Sequence, residues 1–359
     1  MGINNLIIYI MVVFMIIGAV DRIIGNRFGY GKKFEEGIMA MGPLALSMIG
    51  IISLSPVIAR FLKPIITPIY KFIGADPALF AGTILANDMG GWSLGSEIAL
   101  SNDGAILGGL ILSATLGATL SFSIPVAMGM IKKEDEKYLS KGILAGVLTV
   151  PFGCFVGGIV AGFGIKFLFI NLIPTFIITI FLGILLFKYP QKIANFFSYF
   201  GKFMTILITI GFMLESIDIL TGITLVPNLF SALEASKTVC KIGMVLSGAF
   251  PLTYFITKTF SKPLQKIGEF IGVNKNSIVG FIACLAHNIP MLSIVEKMDP
   301  KGKIMNIAFS VSGAFVFGSH LGFTAGINKE MVFPVIMAKL FGGISAIIVG
   351  NLLYKLDKD

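Results

Sequence analysis

The stretch 82–97 sets Asn87, Asp88, Trp92, Ser93, Ser96 and Glu97 among Gly82, Gly90, Gly91 and Gly95, between two apolar runs. Asp88 can pair with a cation, and Trp92, the one Trp of the chain, can offer its ring face to an ammonium. Asn87, Ser93 and Ser96 can hydrogen-bond a hydroxyl. Acid, aromatic ring and amide together form the inventory for a small amine or amino alcohol. The competing structural reading has Asp88 capping a half-helix and Trp92 marking the membrane interface. Charged groups at membrane depth cost a few kcal/mol each on insertion scales, so a site is the default reading. Backbone broken by glycine survives there only inside protein or along a wet cavity.

A second interrupted stretch carries His287, Asn288 and Pro290. Pro290 has no amide hydrogen, so it ends a half-helix. His287 and Asn288 occupy the places of Asn87 and Asp88. His287 is suited to relaying a proton, to bonding a hydroxyl or to capping. Glu296 stands where Glu97 stands in the first stretch, and both are candidates for binding or for interface ion pairs. Glu215 and Asp218, three apart, share one helix face. They form a second tier with His320, which sits among small residues between Gly318 and Gly322. Lys339, inside the last apolar run, reads as a counter-ion to one of these carboxylates or as a snorkelling side chain.

The elements that hold these residues are membrane helices. The chain has 359 residues, 55% hydrophobic and 13% charged, with a mean hydropathy of +0.91. Soluble domains carry about 25% charge. Apolar runs of about 20 residues, each long enough to span a bilayer, fall at 5–24, 38–60, 105–131, 142–164, 166–187, 201–222, 239–259, 304–327 and 330–354. The interrupted segments 77–103 and 276–296 each follow an amphipathic piece, 63–74 and 262–272, suited to the lipid interface. The fold class is therefore an all-α polytopic membrane protein with about nine to eleven transmembrane helices.

The two interrupted segments belong to a repeat. Lys63-Pro64 matches Lys262-Pro263, Phe72 matches Phe270, Leu85-Ala86 matches Leu285-Ala286, Glu97 matches Glu296 and Ser113 matches Ser312, at a near-constant offset. Half one covers about 5–164 and half two about 201–354, joined by the span 166–187 in a single transmembrane domain. If both interrupted segments are re-entrant hairpins, one face collects most of the Lys and Arg, including Lys132, Lys266, Lys297, Lys301, Lys303 and Lys358. The other keeps Arg60, Lys63, Lys71, Lys166, Lys237, Lys241 and Lys329. Loops rich in Lys and Arg stay in the cytoplasm. This arrangement makes the halves inverted and lets the hairpins meet near the midplane, as binding sites of secondary transporters do.

Other classes fit poorly. The formal charge of +9 is scattered between apolar runs and makes no nucleic-acid face. Cys154, Cys240 and Cys284 fit neither a disulfide framework nor a metal site. The chain shows no G-x-S-x-G, H-E-x-x-H or P-loop, so no enzyme is expected and no metal or cofactor either. The segment from Asn5 to Val20 lacks a basic n-region and reads as a retained first helix.

Gly2–Met11, Gly18–Gly25 and above all Leu85-Ala86-Asn87-Asp88-Met89-Gly90-Gly91 resemble the bacterial ethanolamine permease family, of the EutH type. The resemblance covers essentially the whole chain. It implies a multi-pass protein of the cytoplasmic membrane that takes up ethanolamine for a cobalamin-dependent ammonia-lyase pathway. Asp88 would then hold the ammonium under Trp92, with Asn87, His287, Asn288 and Glu296 either bonding the hydroxyl or supporting the residues that do. Two alternatives stay open: a carrier of another small amine or nucleoside-like solute, coupled to H⁺ or Na⁺, and a non-transporting scaffold or sensor of a metabolic complex. Partners are expected to be ethanolamine and membrane lipid, with no nucleic acid, and small-residue helix faces permit a homodimer.

Overall fold

The computed structural model describes residues 2–356, apart from the side chains at 194, 260–262 and 264–270. The repeat pairings through Lys262 and Phe270, and the charges at Lys262, Lys266 and Lys358, lie outside the described residues.

In chain order the helices are α1 (Ile3–Ile23), α2 (Tyr30–Met39), α3 (Met41–Ile73), α4 (Ala78–Ile84) and α5 (Gly91–Ile98). Next come α6 (Asn102–Met130), α7 (Glu136–Val160), α8 (Ile165–Lys188), α9 (Pro190–Thr221) and α10 (Ala232–Ile271). The last are α11 (Lys275–Ala286), α12 (Asn288–Leu292), α13 (Pro300–Gly313), α14 (Ser319–Ile327) and α15 (Val332–Leu356). Among the described residues, eight helical stretches are long and apolar enough to cross a membrane. The protein is thus an all-α polytopic membrane protein.

Two sequence readings change. The run 304–327 is not one span: α13 and α14 are separated by the non-helical 314–318, where Phe315 takes a φ of 62°. Every residue in the break except Gly318 is apolar, so a hydropathy average passes over it. The piece 63–74 is not a separate interfacial helix but the end of α3, which runs through Pro56, Pro64 and Pro68.

α6 is the axis of the fold, with 94% of its apolar window buried against 11% for α1 at the periphery. Small residues make this possible, because they let helix backbones approach closely. An alanine Cβ at Gly82 would lie 2.0 Å from the Gly108 carbonyl oxygen, and one at Gly117 would lie 2.0 Å from that of Leu85. The pair α4–α5 is therefore laid backbone to backbone on α6. Opposite it, residues 107–117 and 119–123 of α6 are wound as π-helix, a rare geometry that recurs at functional sites. Neither backbone can yield, so Gly82→Ala is expected to cost about 3 kcal/mol, the upper end for overpacking. A lowered melting temperature of the detergent-solubilised protein is the readout. An unchanged one would mean that α4 can lift off α6 freely.

The two interrupted segments each have their ends tied together. The Asp76 carboxylate accepts from the amides of Ala78 (3.0 Å), Leu100 (3.0 Å) and Ser101 (2.9 Å). The segment 76–101 thus leaves where it began. In the second segment the Asn274 amide donates to Asp299 (2.8 Å), and the side chains of Asn274 and Asn276 both donate to the Lys297 carbonyl (2.9 Å each). One acid closes each loop, from its first residues in one case and its last in the other.

Candidate functional site

Each interrupted segment turns at a tip with its own local chemistry. In the first, α4 ends at Ile84 and a single 3₁₀ turn, Asn87–Met89, leads through Gly90 (φ 100°) into α5. A Cβ at Gly91 would sit 2.6 Å from the Leu85 oxygen, so the reversal requires glycine. The Asn87 side chain accepts from the Asp88 amide (2.9 Å), which fixes the turn and leaves Asn87 Nδ2 buried without a partner. In the second, His287 caps α12: its Nδ1 accepts from the Ile289 amide (3.1 Å). An accepting Nδ1 carries no proton, so the Nε2–H is the donor left for other work. Asn288 Nδ2 donates to Ser123 (2.9 Å), while its Oδ1 has no protein partner.

The two tips meet the break between α13 and α14. Residues 314–318 pair with the end of α11, the Phe315 amide donating to the Cys284 carbonyl (3.1 Å) and that of Phe317 to the Leu285 carbonyl (2.9 Å). A Cβ at Gly318 would lie 2.0 Å from the Ala286 oxygen, so no larger residue fits this seam. Phe315, a non-glycine residue at positive φ, stores backbone strain of the kind that clusters at ligand sites. Its ring centroid lies 4.7 Å from that of His287 and 4.8 Å from that of His320.

Where these three breaks converge, the protein encloses a cavity of 420 Å³. Its polar lining comes from Asp88, His287, Ser319, His320 and Ser47, and its aromatic walls from Phe122, Phe250 and Phe315. Among the described residues Asp88 is the one carboxylate on it, 8% exposed and on the lining with Ser319. A buried acid without an ion-pair partner in contact is suited to a cation that arrives with the ligand. Behind the wall, Lys339 is 1% exposed and does not snorkel. Its Nζ donates to the Ala114 carbonyl of the π-helical stretch and lies 3.1 Å from His320 Nδ1.

The other candidates sit elsewhere. Trp92 is half-buried and packs against Gly109 of α6. Ser93 is half-buried and does not line the cavity. Glu97 is exposed beside Lys63, which donates to its carbonyl (3.2 Å). Glu296 is exposed and pairs with Lys132 at 2.7 Å, and that ammonium holds its carboxyl below the ordinary carboxylate range. In the second tier, Glu215 accepts from the Ala232 amide (3.0 Å) at the start of α10, and Asp218 accepts from Thr224 (2.8 Å). Neither reaches the cavity, whereas His320 does. Sequence reasoning did not single out Ser319, Phe122, Phe250 or Phe315. The glycines flanking 314–317 were the one available signal for Phe315 and Ser319.

The family model described as "Ethanolamine utilisation protein, EutH" matches residues 3–353. The chain is similar to a "Probable ethanolamine permease EutH" of Listeria monocytogenes, 51% identical over 98% of this chain and 94% of that protein. It is similar to a protein of the same printed name from Salmonella typhimurium, 42% identical over 99% and 97%. It also resembles the uncharacterised YxeR of Bacillus subtilis, 45% identical over 96% and 94%. No solved structure matches. With nearly its whole length matched by the family model and by these relatives, the chain belongs to the EutH family of ethanolamine utilisation proteins.

Proposed function

We propose that this chain is a multi-pass permease that carries ethanolamine across the cytoplasmic membrane and binds it as the ammonium at Asp88. The observation that carries the binding site is the lone carboxylate held where three broken helices meet. Ethanolamine at neutral pH is a small cation with a hydroxyl at its other end. The Asp88 carboxylate takes the ammonium, and the faces of Phe122, Phe250 and Phe315 replace Trp92 as the aromatic surround. His287 Nε2–H and the hydroxyls of Ser47 and Ser319 take the hydroxyl end. Asn87 and Asn288 stiffen the two tips. Glu296 acts at the surface as the partner of Lys132, and Glu97 lies there with its backbone carbonyl bonded by Lys63.

The same reading makes 76–101 and 274–299 re-entrant hairpins that reach the cavity from opposite faces, within inverted halves. Their tied ends support it. So do Lys132–Glu296 (2.7 Å), which joins the loop after α6 to the end of the second segment, and Lys303–Asp135 (2.5 Å), which joins the first turn of α13 to the start of α7, both on the lysine-rich side. Irregular backbone at the midplane with half-helix ends aimed at a polar solute is how membrane carriers build such sites.

Uptake of labelled ethanolamine into liposomes bearing the purified protein tests the function. Saturable uptake that unlabelled ethanolamine competes away is expected. Flux equal to that of protein-free liposomes would sink the permease reading and leave the scaffold.

A further inference from the structure

Lys339 has no place in the binding of ethanolamine just described, yet it is among the largest fully buried side chains of the protein. Its hydrogen-bond partners are the Ala114 carbonyl and His320 Nδ1, and no ion pair joins it to a carboxylate among the described residues. The other ionisable groups facing it are Asp88 on the first tip, Cys154 on α7 and Cys284 on α11. The elements packed around α15 add nothing closer. On α1, Asp21 holds the Phe28 and Gly31 amides and Arg22 holds Glu35, at the end away from the Asn4–Phe333 contact. On α13, Lys301 and Lys303 are held at its first turn by the Ile271 carbonyl and Asp135.

We propose that Lys339 is the proton-exchanging group of this permease: ethanolammonium binds at Asp88 as Lys339 gives up a proton, so that one cation enters the site and one positive charge leaves it. The inference rests on Asp88 being the ammonium site. Its argument is one of charge balance. With Asp88 ionised and Lys339 protonated, the buried site is already neutral, and a second ammonium would bring an uncompensated charge into low dielectric. Loss of the Lys339 proton restores neutrality.

The geometry provides the step. Lys339 Nζ, His320 Nδ1 and the Ala114 oxygen form a closed triangle, with His320 Nδ1 at 3.1 Å from each of the other two. A protonated Lys339 donates to both the oxygen and the ring nitrogen. When the proton passes, an Nζ–H bond breaks, the electron pair stays on Nζ, and Nδ1 gains the hydrogen and donates it to the same oxygen. Both states satisfy all three atoms, so the transfer needs no rearrangement. His320 lines the cavity and sheds the excess proton to water there. The cycle carries no net charge, so a pH difference drives it and membrane potential does not.

The test is calorimetric titration of ethanolamine into the purified full-length protein near neutral pH, in two buffers of unlike ionisation enthalpy. Release of about one proton per ethanolamine bound is expected in the wild type. Lys339→Gln should bind without release, and in liposomes its uptake should become dependent on membrane potential. Lys339→Arg keeps the charge but cannot shed it, so the folded variant should bind at least about tenfold more weakly. Binding without release in the wild type, undiminished release in Lys339→Gln or undiminished affinity in Lys339→Arg would overturn the proposal. Asp88→Asn separates the two readings. Wild-type affinity in that variant removes the ammonium site itself, whereas lost affinity there with no proton release in the wild type removes only the role of Lys339.

Discussion

Asp88→Asn is expected to lose ethanolamine binding while the protein still folds. The substitution keeps size and shape, and the amide keeps a polar group on the lining with Ser319. What disappears is the one carboxyl that lines the cavity among the described residues. A hydrogen bond to a charged group contributes about 1.5–3 kcal/mol, which corresponds to about a 10- to 150-fold loss of affinity. The true loss should lie toward the upper end, because no other carboxylate among the described residues lines the cavity to take over the ammonium. Saturation binding on the detergent-solubilised variant, with its elution profile and melting temperature as controls for folding, gives the comparison. A well-folded variant with wild-type affinity would remove Asp88 from the site and leave the cavity without a cation partner.

Lys303→Met should produce the largest loss of stability. Lys303 and Asp135 form an ion pair at 2.5 Å, with side chains only 11% and 9% exposed, and the Lys303 ammonium also lies 5.5 Å from the Tyr138 ring centroid. Removing the ammonium leaves a buried carboxylate with no compensating charge, at a cost of about 3–5 kcal/mol. Replacing both partners, as Lys303→Met with Asp135→Leu, should recover most of that cost, since a buried pair seldom outperforms well-packed apolar side chains. The measurement is a double-mutant cycle on thermal stability in detergent. Equal melting temperatures for Lys303→Met and the wild type would show that water reaches Asp135. The pair also joins the first turn of α13 to the start of α7. Slower uptake in the double variant, at restored stability, would give it a part in transport beyond holding the fold.

Several elements were legible before any fold was known. The membrane class and the long spans follow from apolar run length, because a helix in lipid must satisfy its own backbone and needs about 20 residues to cross. The two tips were marked by polar residues set among Gly90, Gly91 and Pro290, which no plain membrane helix carries. Asp88 and His287 were found this way, and both line the cavity. Glu97 and Glu296 carried the same signal of a charge beside an apolar run, yet both lie at the surface. A sequence shows that a charge interrupts a hydrophobic stretch, but not whether the chain has by then returned to the interface. Trp92 lies off the cavity for a related reason: its ring packs on Gly109, a contact set by the seam between α5 and α6.

What the sequence alone determined is a polytopic helical carrier of this family, with two broken segments whose turn residues include Asp88 and His287. Only the tertiary structure decided the composition of the site. It broke the run 304–327 at Phe315, brought Ser319 and His320 beside Asp88, and buried Lys339 behind them. The reason is one of range. Hydropathy and turn chemistry are local properties, read within a few residues. The cavity is built from contacts between residues such as Asp88 and Ser319 or Ala114 and Lys339, more than 200 positions apart in the chain, and close packing on α6 chooses those partners.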